Sequence, residues 1–283
     1  MKRQYSLGLY EKAMPAELTW KEKLEAAKAA GYDFVEISVD ETDAKLSRLE
    51  WTKEERLELV KTMYETGVPL RTMCLSGHRK YPLGSADPQI RARGMEIMEK
   101  AIQLADDLGI RIIQLAGYDV YYEESTPETV RLFGENLKKA ERMAARAGIV
   151  LGFETMETEF MNTVEKAMNY VNLVNSPYLG VYPDVGNITN AAVSYGTDVL
   201  ADIRSGIGHL DAVHLKETVP GVFREVPFGT GHVDFPAVIK ELWNAGVRRY
   251  VTEFWYTGNP EWKKDLDFAV QMMCPLLDVQ CKE

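Results

Sequence analysis

The feature that most constrains this chain is a unit that recurs along its length. An amphipathic stretch ends on a glycine, and a short apolar run follows within a few residues. The glycines are Gly31, Gly67, Gly109, Gly148, Gly206 and Gly246. Glycine is a common helix terminator, because it enters the left-handed region without a Cβ penalty. The apolar runs read as strands at residues 5–10, 34–39, 70–75, 111–115, 150–154, 179–182, 210–215 and 250–254. Helices are expected at 16–30, 52–67, 88–108, 127–147, 164–174, 198–205, 235–245 and 262–277. Thr52, with Glu55 three residues on, reads as a capping box.

Alternating strands and helices build right-handed βαβ units on a parallel sheet. Eight such units closed into a barrel need roughly 250 residues, and the chain has 283. No linker or shift in composition divides it. The expected fold class is therefore α/β, a single (β/α)8 TIM barrel with residues 1–283 as one domain. An open doubly wound sheet is the competing architecture. It normally carries a Gly-rich phosphate loop after its first strand, and here that strand runs into Tyr10-Glu11-Lys12-Ala13.

Composition narrows the function. The net charge is −10 with no long basic run, which argues against a nucleic-acid partner. Cys74, Cys274 and Cys281 form no CxxC pair. A disulfide framework or Cys-type zinc site is not expected, and the cytoplasm is the expected compartment. The first ten residues lack the apolar segment of a secretory signal, and no apolar run approaches the ~20 residues of a membrane span. With only four histidines, a metal site would rest mainly on carboxylates.

In such barrels the chemistry lies at the C-terminal ends of the strands. Strand five ends in Glu154, strand six runs into Asp184, strand seven contains His214 and strand eight contains Glu253. Each interrupts a stretch that would otherwise be buried and apolar, where an unpaired carboxylate is costly. No Lys or Arg partner is evident for each of them, so the four together point to one divalent cation. One nitrogen and three oxygens suit Zn2+, Mn2+, Mg2+ or Co2+. Two carboxylates facing each other across the mouth can remove a proton from one face of a carbon and return it to the other. A cation between them would polarise the neighbouring carbonyl. That describes epimerisation through an enediolate.

The runs LGLYEKAMP (7–15), FVEISVDETD (34–43), MCLSGHRKYPLGS (73–85), IQLAGYDVYY (113–122), YPDVGN (182–187), GIGHLDAVHLKET (206–218) and VPFGTGHVDF (226–235) carry a resemblance that covers almost the whole chain. The sequence resembles the L-ribulose-5-phosphate (L-xylulose-5-phosphate) 3-epimerases of L-ascorbate degradation. These belong to the xylose-isomerase-like barrel superfamily that also includes D-tagatose 3-epimerase and endonuclease IV. The resemblance implies that Glu154, Asp184, His214 and Glu253 are the metal ligands. It implies that Glu154 and Glu253 are the acid/base pair acting on C3 of a ketopentose phosphate.

The implied phosphate needs basic contacts, for which His78, Arg79, Lys216 and Arg224 are the candidates. Lys216 is two residues beyond His214, so strand alternation puts both on one side and favours Lys216 over Arg79 for the mouth. Asn187 stands where related free-ketose epimerases often have a histidine. It can hydrogen-bond a sugar hydroxyl but is a poor proton relay. Glu157, above the metal ligands, is a further candidate substrate contact. The loop 228–232, with Gly229 and Gly231, can cradle a phosphate or be a plain loop. The direction of Glu36 is open, and Trp255 and Tyr256 can wall the site. His209 is expected at the opposite end of the barrel, in a structural role. Trp243 and Trp262 on outer helices leave a homo-oligomer open. The competing functions are an aldose–ketose isomerase or dehydratase on the same barrel, a sugar-phosphate sensor and, remotely, a metal-dependent endonuclease. The last fits poorly with four histidines and net negative charge.

Overall fold

The computed structural model describes residues 3–282. In chain order the elements are β1 (Ser6–Tyr10), α1 (Trp20–Ala30), β2 (Phe34–Val39), α2 (Asp43–Leu46), α3 (Lys53–Thr66), β3 (Leu70–Leu75), α4 (Pro88–Leu108), β4 (Ile112–Ala116), α5 (Pro127–Arg146) and β5 (Val150–Glu154). There follow α6 (Val164–Val174), β6 (Leu179–Val181), α7 (Val185–Tyr195), α8 (Val199–Ser205), β7 (Val213–Leu215), α9 (Phe235–Asn244), β8 (Arg249–Thr252) and α10 (Trp262–Gln280).

The sheet order is β6-β5-β4-β3-β2-β1-β8-β7, and neighbours run parallel. The seam between β6 and β7 is joined as well. Val181 N–H donates to His209 O at 2.7 Å and Asp211 N–H to Val181 O at 3.0 Å. Farther along, Asp184 and His214 are bridged. The sheet closes on itself, so the barrel holds and the open sheet does not.

Strand alternation then sorts the side chains. On β2, Val35, Ile37 and Val39 join the large core between sheet and helices. Phe34 instead joins Tyr10, Cys74, Ile112, Tyr182, Ala212 and Val251, drawn from around the barrel, in a separate inner cluster. Barrel interiors of this size are filled by side chains rather than open. The register that turns Phe34 inward also turns Glu36 inward, and the register of Ala212 does the same for His214 and Lys216. The polar inward residues lie toward the C-terminal ends, which is where the site forms.

The capping box at Thr52 is present, with Thr52 N–H donating to Glu55 Oε2 at 2.7 Å and Glu55 N–H to Thr52 Oγ1 at 3.2 Å. The first helix begins at Trp20, four residues later than expected from residue 16, because Thr19 and Glu22 form a second capping box. The larger departure is α7, which occupies what reads in sequence as the loop after strand six. Its N-cap is Asp184. Gly186 in its first turn hides it from a helix reading. A Cβ there would lie 2.6 Å from Thr218 Cγ2 and 2.9 Å from the Lys216 carbonyl oxygen, so glycine lets α7 approach the end of β7. Trp243 and Trp262 are half-buried against the core. They do not supply the exposed surface suggested for self-association. Among the described residues, no helix is long and apolar enough to cross a membrane.

Candidate active site

His214 is fully buried in the middle of β7, on the inward register. Its Nε2 lies 2.6 Å from Glu36 Oε1, and Glu36 Oε2 accepts from the Tyr182 hydroxyl at 2.8 Å. The opposite ring nitrogen, Nδ1, faces the mouth, 2.9 Å from Glu253 Oε2 and 3.6 Å from Glu154 Oε1. The Gln114 side-chain amide nitrogen lies 3.0 Å from it. Burial would lower the imidazole, but Glu36 and Glu253 hold it well above its ordinary pKa. Glu36, whose direction was open in the sequence, therefore points inward and binds the histidine.

Asp184 does two jobs at the start of α7. One oxygen, Oδ1, accepts the Asn187 N–H at 2.7 Å and caps the helix. The other, Oδ2, lies 2.8 Å from Lys216 Nζ. Lys216 is also 3.7 Å from Glu253 Oε2. The expectation that these carboxylates lack a basic partner is thus corrected. Strand alternation puts Lys216 beside His214, and the lysine reaches back to both acids. Burial raises Glu154 and raises Asp184 well above the ordinary carboxylate range. Glu253 also suffers burial, but Lys216 and His214 together hold it well below.

Glu154, Asp184, His214 and Glu253 each offer one ligand atom, and these atoms all lie within 4.8 Å of one another. All four residues are buried. Asp184 Oδ2 and Glu253 Oε2 are buried without a directed hydrogen-bond donor, although cationic groups lie within ion-pair range. The three carboxylates and buried Glu36 are offset only by Lys216 and His214, which leaves room for a further positive charge. The donor set of one imidazole and three carboxylates suits a divalent ion of the hard or borderline kind. These four side chains can hold a metal ion.

Above them lies a cavity lined by Glu154, Glu253, Glu157, Asn187, Lys216 and Arg224, and also by Lys12, Arg79 and Trp255. Asn187 Nδ2 donates to the Thr155 carbonyl at 2.7 Å, while its Oδ1 is buried without a partner. Glu157 Oε1 accepts from the Tyr121 hydroxyl at 2.9 Å and from Arg224 Nη2 at 3.3 Å. Tyr256 does not line this cavity, whereas Trp255 does.

Two sequence expectations are corrected here. His78 does not reach the cavity. It is buried, with Nε2 3.0 Å from the Gly94 carbonyl oxygen, and burial lowers its pKa to about 4. It anchors the turn that carries Arg79. The loop 228–232 is not a free phosphate cradle. The buried Glu217 carboxylate already accepts from Gly229 N–H at 3.1 Å and Val233 N–H at 3.2 Å. His232 is occupied as well, with Nε2 3.0 Å from Thr218 Oγ1. His209 is exposed and precedes the start of β7, away from the site. Lys12 and Gln114 were not singled out in sequence. Their signal is positional, since Lys12 follows the end of β1 and Gln114 shares the inward register of Ile112.

The family model described as "Xylose isomerase-like TIM barrel" matches residues 24–272. An L-ribulose-5-phosphate 3-epimerase UlaE from Escherichia coli O139:H28 (strain E24377A / ETEC) is 50% identical over 256 residues, covering 90% of this chain and 89% of that protein. The protein of the same name from Escherichia fergusonii is likewise 50% identical, with the same coverage. Among solved structures, D-psicose 3-epimerase with D-tagatose from Clostridium cellulolyticum H10 superposes with a TM-score of 0.81. It covers 96% of this chain and 99% of that one at 18% identity, a likeness of fold.

Proposed function

The chain belongs to the xylose isomerase-like TIM barrel family and, within it, to the L-ribulose-5-phosphate 3-epimerases, and from that membership we propose that it interconverts L-ribulose 5-phosphate and L-xylulose 5-phosphate. It acts as one catalytic domain, residues 1–283, in the cytoplasm. The observation that carries this reading is the convergence of Glu154 and Glu253, from the ends of β5 and β8, in one buried group with Asp184 and His214. Glu154, Asp184, His214 and Glu253 would hold a divalent ion (Zn2+, Mn2+, Mg2+ or Co2+), which would supply Lewis acidity toward the ketone and its neighbouring hydroxyl.

The chain's own residues do the rest. One glutamate removes the C3 proton and the other delivers a proton to the opposite face, so the configuration inverts. Lys216, buried beside Asp184 and Glu253, holds these carboxylates in place. Asn187 Oδ1 accepts from a sugar hydroxyl, because its amide nitrogen is already committed to Thr155. Tyr10 and Trp255 pack edge to face at 6.2 Å between ring centroids and form an apolar wall that keeps water from the reacting carbon.

The test is the exchange of the C3 proton with deuterium from solvent. Glu154→Gln and Glu253→Gln each lower this exchange by roughly 10²–10⁴-fold with the epimer whose proton the missing carboxylate removes, and neither variant interconverts the two epimers. Interconversion retained in both variants overturns the two-glutamate scheme. An aldose or a dehydrated product in the NMR spectrum of the wild-type reaction overturns epimerisation itself.

A further inference from the structure

Resting on the reading that the chain epimerises C3 of a bound sugar, we propose that Glu157 and Arg224 form a latch that shuts a strap, residues 223–227, over the mouth of the barrel. The strap is tied down at both ends. On one side Val219 and Val222 exchange backbone hydrogen bonds, with Val222 N–H donating to Val219 O at 2.9 Å. Asn190 of α7 holds the same turn, accepting from Gly221 N–H at 3.0 Å and donating to the Val222 carbonyl at 3.3 Å. On the other side, buried Glu217 accepts from the Gly229 and Val233 N–H groups. Between these anchors, residues 223–226 show no backbone–backbone hydrogen bond among the described residues. Glu225 lies in the left-handed region, at φ 59°, which a side chain of its kind rarely adopts. Strain of this sort marks a segment held by its surroundings rather than by its own preference.

Among the described residues, the side chains of the strap make one hydrogen bond. Arg224 Nη2 donates to Glu157 Oε1 at 3.3 Å, and the same oxygen accepts from the Tyr121 hydroxyl at 2.9 Å. The pair therefore joins the segment after β7 to the loops that follow β5 and β4. Tyr121 is itself packed on Tyr118, with 5.2 Å between ring centroids. Phe223 and Arg224 line the cavity above Glu154 and Glu253. The next three residues, Glu225, Val226 and Pro227, line a second cavity of about 260 Å³ with Phe254, Trp255 and Phe268, which gives the strap room to swing aside. The Arg224 side chain is 45% exposed and that of Glu157 22%. A pair this open to solvent is weak, so the latch breaks readily enough to pass substrate and product. Closed, it keeps water from the mouth while the C3 proton is off. Both are positioning residues, acting through the strap and not on the reacting carbon.

The latch is tested first without substrate, by trypsin. The bond after Arg224 lies in the strap, and mass spectrometry reads its cleavage apart from every other site. In the Mn2+-loaded protein, Glu157→Gln raises the rate of this cut by roughly two- to fivefold over wild type, the shift in open population that loss of an exposed pair allows, while cleavage elsewhere is unchanged. Relative to the other sites, high salt speeds the cut in wild type but not in Glu157→Gln. An unchanged rate after Arg224 in the variant overturns the latch. A general rise at all sites overturns it too, since Glu157 would then only stabilise the fold. The second measurement is kcat and KM on L-ribulose 5-phosphate for Glu157→Gln, Arg224→Gln and the double variant. Each single variant lowers kcat/KM by about the same two- to fivefold, and the double variant loses no more than either one. Losses that multiply show two residues acting on substrate separately, which overturns the latch. A wild type that does not interconvert the two epimers overturns the epimerase reading instead and leaves the proteolysis result standing.

Discussion

Glu36 does not line the cavity above the four candidate ligands, yet it decides what His214 can do. It is fully buried, accepts from Tyr182 and binds His214 Nε2 at 2.6 Å. A carboxylate on one ring nitrogen fixes the proton there and presents the other nitrogen as a ligand. Here the presented atom is Nδ1, which faces Glu154 and Glu253. Glu36 is thus a positioning residue. Glu36→Gln lowers the affinity for Mn2+, measured by titration calorimetry, by roughly 10–100-fold. The metal-free Tm falls much less than in Glu36→Leu, which leaves the Tyr182 hydroxyl without its acceptor. Unchanged Mn2+ affinity in Glu36→Gln would reduce Glu36 to a packing role. At this scale the sequence was readable where residue type and strand end coincide, as at Glu154 and Glu253. It was not readable where burial decides. His78 and Arg79 are adjacent basic residues on one turn, and only packing shows that the first faces Gly94 and the second faces the cavity.

Helix ends show the same signal arising from two causes. The six terminal glycines that set the fold look alike in sequence. Five have positive φ, among them Gly109 at 74°. Gly206 has φ −97° and is not in the left-handed region. A Cβ at Gly109 would meet nothing within 4 Å, whereas one at Gly206 would lie 2.7 Å from both Leu210 Cδ2 and Val164 Cγ1. The first glycine is there for its backbone, the second for space between α8, α6 and the start of the β7 segment. Gly109→Ala therefore costs about 1–2 kcal/mol from left-handed strain, and Gly109→Asn recovers part of it, since Asn tolerates that region. Gly206→Ala costs about 1–3 kcal/mol by overpacking, and Gly206→Asn, being larger, costs more. Urea unfolding of the four variants checks this, and an Asn rescue at position 206 would refute the packing cause. The element missed in sequence, α7, has the same root. Gly186 is kept for a close approach to β7, and a glycine in a first turn lowers the apparent helical character of residues that tertiary contact makes helical.

The barrel as a whole separates its two ends, and Asp211 tests how completely. Eight strand–helix units were countable in the sequence because each ends on a punctuating residue. Closure of the β6–β7 seam was not, since it depends on long-range backbone bonds such as Asp211 N–H to Val181 O. The side chain of Asp211 sits at the strand starts, in a cavity shared with Arg3, Ser6 and Arg249 and remote from the glutamates. Its Oδ2 is buried without a partner. Burial pushes its pKa up to about 7, with Arg249 opposing. Because the folded pKa lies above the unfolded value, the folded chain keeps a proton that the unfolded chain loses from about pH 4 upward. The contribution of this group to stability is present below about pH 4, falls as pH rises to about 7 and stays lost above. Each tenfold gain in proton affinity on folding corresponds to about 1.4 kcal/mol. Asp211→Asn keeps the shape and removes the ionisation. The variant gains on wild type in urea unfolding as pH rises from about 4 to 7, and the gap is constant beyond. Stability residues cluster at the N-terminal end of such barrels and chemistry at the other, so turnover at pH 7.5 stays within about twofold of wild type. Parallel stability profiles would show that Asp211 ionises freely in the folded barrel, and a loss of turnover in the variant would show that the two ends are coupled through β7.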